Sequence, residues 1–280
     1  MRFYLYARSG HGYGLDRVKR VSALYETFKE FDPILCTCDF RAGAFAKDHF
    51  GIKKSVSVDL IENLPNIMQR GDVLIFDSDE PSDFMKENMK DFCSFLIEVG
   101  VDTPKIIAHS LFEKSNSKND KSLFFFGDDD YAEEFLKKLN TTQNIPMSVL
   151  LGHYYFLGNE DVVAQKFDKF YEDSEYVDAI KDYKFLLTGS AQAAIESLAC
   201  GNKPVFFVRD DKSEENEEEL QMLRELNIPV IEQGDLQTIL EKFENIKSNY
   251  PSLNELPKID LTSQKNAIAK RFEMLKQFDQ

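Results

Sequence analysis

The stretch from residue 184 to residue 211 constrains the fold of this chain more than any other segment. Its pattern predicts a buried strand at 184–187, a tight turn at 188–190, a helix of small residues and a second buried strand at 204–208. Ser190 stands at the helix N-cap position, and Gly201 supplies the left-handed conformation that ends helices. A strand–turn–helix–strand unit is typical of parallel α/β sheets, where the helix N-terminus can bind an anion. An ordinary crossover helix is the alternative interpretation.

The rest of the chain alternates strands and helices in the same way. In the first half, strands are predicted at 2–7, 33–37, 55–58, 72–76 and 105–108. A first helix follows the glycine-rich turn and ends near residue 29, and further helices are predicted at 42–49, 60–70 and 81–99. A polar segment at 113–121 without apolar periodicity predicts a linker. Strands then follow at 123–126, 147–151, 169–171 and 228–231, with a last helix at 263–278. We therefore expect two doubly wound α/β domains, residues 1–112 and 122–280, facing a cleft, with the last helix packing back on the first domain.

Charge and hydropathy limit the partners and location of such a protein. The net charge is −15, from 34 basic and 49 acidic residues, which disfavours nonspecific binding of nucleic acid and of anionic membranes. No apolar run reaches the roughly 20 residues of a membrane span, and the N-terminus lacks the apolar region of a secretory signal. Scattered cysteines without metal-ligand spacing are typical of free thiols in a reducing compartment. We expect a cytoplasmic protein without a transmembrane segment.

The first predicted strand runs into a glycine-rich turn at residues 8–14, with the sequence RSGHGYG. The missing side chains at Gly10, Gly12 and Gly14 let a substrate approach the backbone. His11 lies at the crest of the turn and is a candidate general base, because imidazole titrates near neutral pH. Asp16 and Arg17 follow in the first turn of the next helix. The turn is neither a GxGxxG fingerprint nor a phosphate-binding GxxxxGK[ST] loop, which argues against a dinucleotide-dependent dehydrogenase.

Several polar residues follow the predicted strands directly. Asp77 ends a buried strand and is a second candidate base, while His109 and His153 come after two other predicted strands. The GDDD run that begins at Gly127 is interpreted as a helix N-cap with acidic first-turn residues, with a metal-carboxylate cluster as the alternative. Because parallel strands end at one edge of a sheet, such residues are candidates for a ligand site.

The stretch FYEDSEYVDAIKDYKFLLTGSAQAAIESLACGNKPVFF, residues 170–207, resembles the nucleotide-sugar motif of GT-B glycosyltransferases. Within that group it is similar to the UDP-GlcNAc transferase that forms lipid II. It is closer still to the UDP-sugar hydrolase of pseudaminic acid biosynthesis, which has a similar length. FFFGDDD and RSGHGYG resemble the first loops of the two halves of those enzymes. The resemblance implies two Rossmann-like domains in a GT-B-like arrangement.

The resemblance also implies roles for residues of this chain. The turn and helix start formed by Gly189, Ser190, Ala191 and Gln192 would hold a diphosphate, and Glu196 would bind the ribose hydroxyls. Further nucleotide contacts fall on Gly127, Phe170 and Tyr171. The glycine turn, with Gly10, Gly12, Gly14 and Arg17, would face the sugar and phosphate. The candidate catalytic residues are His11, Asp77 and Asp16.

One departure from the family pattern bears on the reaction. Aligning the glycines of the first turn places Leu15 where the family has its catalytic histidine. Either His11 takes over that role from a slightly different loop geometry, or the chain lacks this base. The departure counts against water activation and hence against hydrolysis. The expectation is a UDP-sugar dependent glycosyltransferase of surface glycan biosynthesis, with an unknown acceptor, no essential metal and no cofactor. The alternatives are a UDP-sugar hydrolase and a noncatalytic nucleotide-sugar-binding protein.

Overall fold

The computed structural model describes residues 1–114, 119–130, 133–140, 144–155, 158–212 and 217–278. The chain divides into two compact units. The first unit combines Met1–Gly10, Arg17–Ser110 and Lys258–Gln280, and the second combines His11–Asp16 with Leu111–Pro257. The glycine turn after the first strand is therefore divided, since its crest belongs to the second unit.

The first unit is built on a parallel sheet of five strands in the order β3-β2-β1-β4-β5. These strands are β1 (Phe3–Ala7), β2 (Ile34–Thr37), β3 (Lys54–Ser57), β4 (Val73–Asp77) and β5 (Phe95–Glu98). The two central strands, β1 and β4, are buried along their whole length, as continuous apolar runs in parallel sheets are. Its helices are α1 (Asp16–Phe28), α2 (Phe40–Phe50) and α3 (Asp83–Phe92).

The second unit is built on a parallel sheet of six strands in the order β11-β10-β9-β6-β7-β8. These strands are β6 (Asn119–Phe125), β7 (Ile145–Leu150), β8 (Phe167–Tyr171), β9 (Tyr183–Thr188), β10 (Lys203–Phe207) and β11 (Val230–Ile231). A phenylalanine cluster fills one face, with the ring of Phe124 stacked on those of Phe135 and Phe207. Both sheets therefore have the strand order of Rossmann-like domains, in which the fourth strand lies beside the first.

The remaining helices connect and cover the strands of the second sheet, apart from the last, whose residues belong to the first unit. They are α4 (Glu134–Leu139), α5 (Glu160–Ala164), α6 (Tyr176–Asp182), α7 (Ala191–Ala199), α8 (Glu217–Glu225), α9 (Leu236–Ser248) and α10 (Thr262–Phe278). The predicted caps of α7 are confirmed. The Ser190 hydroxyl accepts a 3.0 Å bond from the amide of Ala193, and Gly201 has φ +75°.

Three predicted elements of the first unit are wrong. The helix predicted at 81–99 is α3 followed by the strand β5, because no glycine or proline between Pro81 and Gly100 marks the boundary of the two elements. The helix predicted at 60–70 is only a 3₁₀ helix, Ile61–Asn66, which contains Pro65. No strand forms at 105–108 in the described part of this unit, so His109 does not follow a strand.

The predicted linker at 113–121 overlaps the second sheet, since β6 already begins with the exposed residues 119–121, while 115–118 lie outside the described residues. Among the cysteines, Cys36 and Cys200 are buried, Cys38 and Cys93 are half-buried, and all are free thiols. None of the helices in the described part of the chain is long and apolar enough to cross a membrane.

Candidate functional site

The strand order of the second unit places two predicted loops side by side. In this sheet β7 and β8 lie on one side of β6, and β9 lies on the other side. The direction in which successive strands are added to the sheet therefore reverses between β6 and β9. The loop after β6 contains Gly127, and the loop after β9 contains Gly189 and Ser190. Ligands of open α/β sheets bind outside the carboxyl ends of the strands at such a point. We refer to these loops and the start of α7 as the switch-point site.

The start of α7 holds a carboxylate of the chain itself. The Ser190 hydroxyl donates a 2.8 Å hydrogen bond to Asp16 Oδ1, and the amide of Gln192 donates a 3.2 Å bond to Asp16 Oδ2. Ser190 lies in the loop after β9, whereas Asp16 comes from the glycine-turn segment that belongs to this unit. Partial positive charge at a helix N-terminus favours an anion in this position. The predicted diphosphate position is thus occupied by a negative group.

Glu196, predicted to bind ribose, is completely buried on α7. Its Oε2 accepts a 2.6 Å hydrogen bond from the hydroxyl of Tyr176, and its Oε1 accepts a 3.0 Å bond from Nε2 of Gln192. Ala191 and Gln192 are buried as well. A ribose contact by Glu196 would have to replace these internal hydrogen bonds.

A buried ion cluster supports the loop after β6. Arg209, which follows β10, donates a 3.1 Å bond to Asp129, and its guanidinium also binds Asp211 and covers the ring of Phe126 at 4.4 Å. Lys212 forms a second ion pair with Asp129. Burial raises the pKa of Asp129, although the two cations oppose that rise. This cluster fixes the orientation of the loop.

Glycines make close packing of the strand-end loops possible. A Cβ atom at Gly152 would lie 2.0 Å from the carbonyl oxygen of Gly127, and one at Gly189 would lie 2.6 Å from that of Phe126. Gly127 itself has φ +138°, a conformation that favours glycine. The loops after β6, β7 and β9 therefore meet through backbone atoms, with no room for side chains.

The last aspartate of the GDDD run caps the following helix. Asp130 Oδ1 accepts a 2.8 Å bond from the amide of Glu134, and Oδ2 accepts a 3.1 Å bond from that of Phe135, at the start of α4. Burial raises the pKa of Asp130 to about 6. Asp130 thus binds the first amides of α4, as a capping side chain does, but the N-cap position itself is Glu133 and the GDDD run lies outside the helix. Within the described ranges no group of three or more His, Cys, Asp or Glu side chains is placed to hold a metal ion.

The crest of the glycine turn lies in the second unit and is open to solvent. The His11 ring is exposed and lies 4.8 Å from the ring of Tyr154, and the carbonyl of Gly12 accepts a 3.1 Å bond from Lys212. Behind the crest, Gly14 has φ +70° and packs against Asp129. Leu15, which follows Gly14, is completely buried.

The remaining predicted nucleotide contacts lie on the edge strand β8. Phe170 is half-buried and packs against the phenylalanine-rich core cluster of this unit. Tyr171 is buried, with its hydroxyl 3.0 Å from that of Tyr183 and 2.6 Å from the Lys169 ammonium. These contacts of Phe170 and Tyr171 are with the core and with strand residues, and none of them is with the start of α7.

A histidine–aspartate pair lies near the ends of β7 and β8, and the sequence indicates only its histidine. The pattern places His153 at a strand end, but it does not indicate its partner Asp173, which lies 2.6 Å from Nδ1. The His153 ring also lies 5.0 Å from that of Tyr154. Asp173 lies two residues after β8, and a position near a strand end is shared by many acidic residues.

The first unit holds the other predicted residues at its own reversal point, between β1 and β4. Asp77 ends β4 and binds Arg20 at 2.7 Å through Oδ2, while Arg17 lies 3.8 Å from its other oxygen. Arg17 also pairs with Asp79 at 3.2 Å. Gly10, with φ +127°, belongs to this unit too. Asp77 is thus an ion-pair partner in this structure, and its role as a base stays a prediction.

Compared with models of protein families and with curated proteins, the chain matches none of them. Its function therefore has to be inferred from its own residues.

Proposed function

We propose that this protein binds a nucleotide sugar, UDP-linked, at the switch-point site of its second unit and transfers the sugar to an acceptor. One observation carries the proposal. The glycine loop after β6 and the N-terminus of α7 flank the reversal of strand order, where parallel α/β sheets bind nucleotides. The resemblance of residues 170–207 to the GT-B motif supplies the ligand class and the GT-B-like pairing of the domains.

The donors at the start of α7 suit a diphosphate. The Ser190 hydroxyl and the Gln192 amide already hold the two oxygens of a carboxylate, and a phosphate offers oxygens in a similar arrangement. Donors fixed by the helix also stabilise the charge that develops on a departing nucleoside diphosphate. The leaving group is thus assisted without a metal ion.

His11 is the proposed base that removes a proton from the acceptor. It is exposed at the crest of the turn, and Gly12 beside it leaves the backbone open to a substrate. The position that the family gives to its histidine holds Leu15, which is buried and cannot activate water. A base at His11 would serve an acceptor hydroxyl or water, so the preference for transfer rests on the absence of a histidine at the family's water-activating position, Leu15. The resemblance suggests that the protein acts in the biosynthesis of surface glycans.

Calorimetric titration with UDP, ADP and GDP tests the binding claim. We expect UDP to bind more tightly than the other two nucleotides, and Ser190→Ala to weaken UDP binding. Ser148→Ala is the matched control, because it removes a buried hydroxyl that bonds Tyr183 in the same unit away from α7. Absence of UDP binding at millimolar concentration would contradict the proposal. Product analysis on UDP-sugars, with and without acceptor extract, separates transfer from hydrolysis.

A further inference from the structure

A pocket in the first unit lies between α3, β4 and the 3₁₀ helix Ile61–Asn66. We call it the methionine pocket, because Met68, Met85 and Met89 are among the residues that line it. Its volume is about 220 Å³. Protein interiors are close-packed and leave few voids larger than a water molecule. A space of this size therefore has room for a ligand.

The helix α3 leaves this space because its apolar face is only partly covered. Met85, Met89 and Phe92 recur at helical spacing and pack against the core of the first unit, yet none of the residues Asp83–Phe92 is fully buried. On the other side of the pocket, Leu64 of the 3₁₀ helix is buried. Methionine side chains are flexible and polarizable, so the α3 wall can adapt to the shape of a hydrocarbon.

The inner wall of the methionine pocket is uncharged. Leu74 of β4 is buried, and Cys93 at the end of α3 is half-buried. Burial raises the pKa of the Cys93 thiol to about 12, and the negative charge of Asp72 adds to the rise, so the sulfur stays protonated at neutral pH. An apolar cavity of about 150 Å³ takes up benzene, so the larger methionine pocket accommodates a hydrocarbon group of about eight carbon atoms.

The two polar side chains at the rim of the pocket offer hydrogen-bond acceptors. Among the described residues of the lining, Glu62 alone carries a charge, and its side chain is exposed. Asn88 is exposed as well, and its Nδ2 donates a 3.0 Å hydrogen bond to the carbonyl oxygen of Phe84, which leaves its Oδ1 as an acceptor. A carboxylate and an amide oxygen beside an apolar pocket complement a head group that is cationic and donates hydrogen bonds.

We propose that the methionine pocket binds a medium-chain alkylamine, with the alkyl chain among the methionines and the ammonium group at Glu62 and Asn88. The pocket lies in the first unit, so the proposal does not depend on nucleotide binding by the second unit and adds a second class of ligand. The net charge of −15 acts in the same direction, because it attracts cations to the protein surface.

Methionine methyl resonances test the position of the ligand. The chain has seven methionines, and protein labelled with ¹³C at their methyl groups is titrated with octylammonium chloride at neutral pH. We expect the resonances of Met68, Met85 and Met89 to shift. Those of Met147 and Met222, which are buried in the second unit, are the internal controls and should stay in place.

The length and charge of the ligand test the two parts of the site separately. Dissociation constants from calorimetry should fall about fourfold for each methylene group added between butylammonium and octylammonium. Decylammonium should gain little more, because an octyl chain already fills the pocket. Octyl sulfate has the same chain with a negative head group, and it should bind about fivefold more weakly than octylammonium or weaker still.

Two variants address the rim and the wall. Glu62→Gln removes the charge and keeps the size of the side chain, so it should weaken octylammonium binding by about two- to fivefold, the contribution of an exposed ion pair. It should leave the binding of uncharged 1-octanol unchanged. Met89→Gln puts a polar amide into the wall and should weaken the binding of both ligands. Met274→Gln, at a 41% exposed position of α10, is the matched control and should weaken neither.

The outcomes decide the proposal in either direction. Shifts confined to the three pocket methionines, together with the loss of affinity in Glu62→Gln, would support it. Resonances of Met68, Met85 and Met89 that stay in place at millimolar octylammonium would overturn it, as would equal shifts of all the methionines. Octyl sulfate bound as tightly as octylammonium would overturn the assignment of an amine. These outcomes are independent of the affinity of the protein for UDP.

Discussion

The hydroxyl of Tyr176 donates a 2.6 Å hydrogen bond to the carboxylate of Glu196 in the interior of the second unit. Burial raises the pKa of Tyr176 well above its ordinary value, and the charge of Glu196 adds to this rise. The phenol thus remains a hydrogen-bond donor at all ordinary pH values. The carboxylate that the motif assigns to ribose is a buried structural acceptor in this structure.

Replacing Glu196 separates its structural role from a ligand role. Glu196→Ala leaves the Tyr176 hydroxyl and the Gln192 amide without their buried acceptor, and should lower the free energy of unfolding by about 2–4 kcal/mol. Tyr176→Phe removes one donor and should cost less, about 1–2 kcal/mol. Urea unfolding measures both values. If Glu196 also binds ribose, Glu196→Ala weakens UDP binding more than Tyr176→Phe does; equal UDP affinities would exclude that role.

The contact between the loops after β6 and β7 should not tolerate a single methyl group. Gly152→Ala places a Cβ atom 2.0 Å from the carbonyl oxygen of Gly127. Because that oxygen is backbone, we expect a loss of about 3 kcal/mol or more in thermal or urea unfolding. Gly12→Ala is the control, since its Cβ would meet nothing within 4 Å. Equal stability of the two variants would mean that the loops are packed differently.

Arg209 should be coupled energetically to Asp129. Arg209→Met removes the buried guanidinium and leaves Asp129 with Lys212, so we expect about 3 kcal/mol of destabilisation. Adding Asp129→Asn removes the buried charge that lost Arg209 as one of its two cations and should restore part of the stability. A double-mutant cycle from urea unfolding gives the coupling. Strictly additive effects would show that this ion pair contributes nothing to the loop.

Asp130 makes stability depend on pH in the direction opposite to most aspartates. Its pKa rises from 3.8 to about 6 on folding, so the folded state binds more protons between these values. Stability from this group is therefore greatest below pH 3.8 and is lost as the pH rises through 6. Asp130→Asn keeps an acceptor for the α4 cap and should stabilise the protein at pH 8 by about 1–2 kcal/mol.

An exposed cap supplies the matched control for Asp130. Asp235 accepts a 2.7 Å bond from the amide of Thr238 at the start of α9, and this bond lowers its pKa. Its contribution is present above the unfolded pKa and lost as the pH falls, so Asp235→Asn should destabilise at pH 8. Urea midpoints at pH 8 and pH 4 compare the two variants. A loss of stability in Asp130→Asn at pH 8 would mean that folding does not raise the pKa of Asp130.

Local patterns in the sequence predict the strands and caps well where the chain is punctuated. The glycine and serine of the loop after β9 mark the end of a strand and the start of α7, and the structure confirms both. The run from α3 into β5 has no such punctuation, and there the prediction is wrong. The partners at the switch-point site escape any local pattern, because Asp16 and Ser190 are 174 residues apart and Asp129 and Arg209 are 80 apart.

The central claim is that a nucleoside diphosphate binds at the N-terminus of α7. Alanines at positions 191, 193 and 194 lie in the first turn of that helix and report on it directly. We predict that titrating UDP into protein labelled with ¹⁵N-alanine shifts the amide resonances of Ala191 and Ala193 far more than those of alanines in α1 and α2. Unchanged Ala191 and Ala193 resonances at millimolar UDP would contradict the claim.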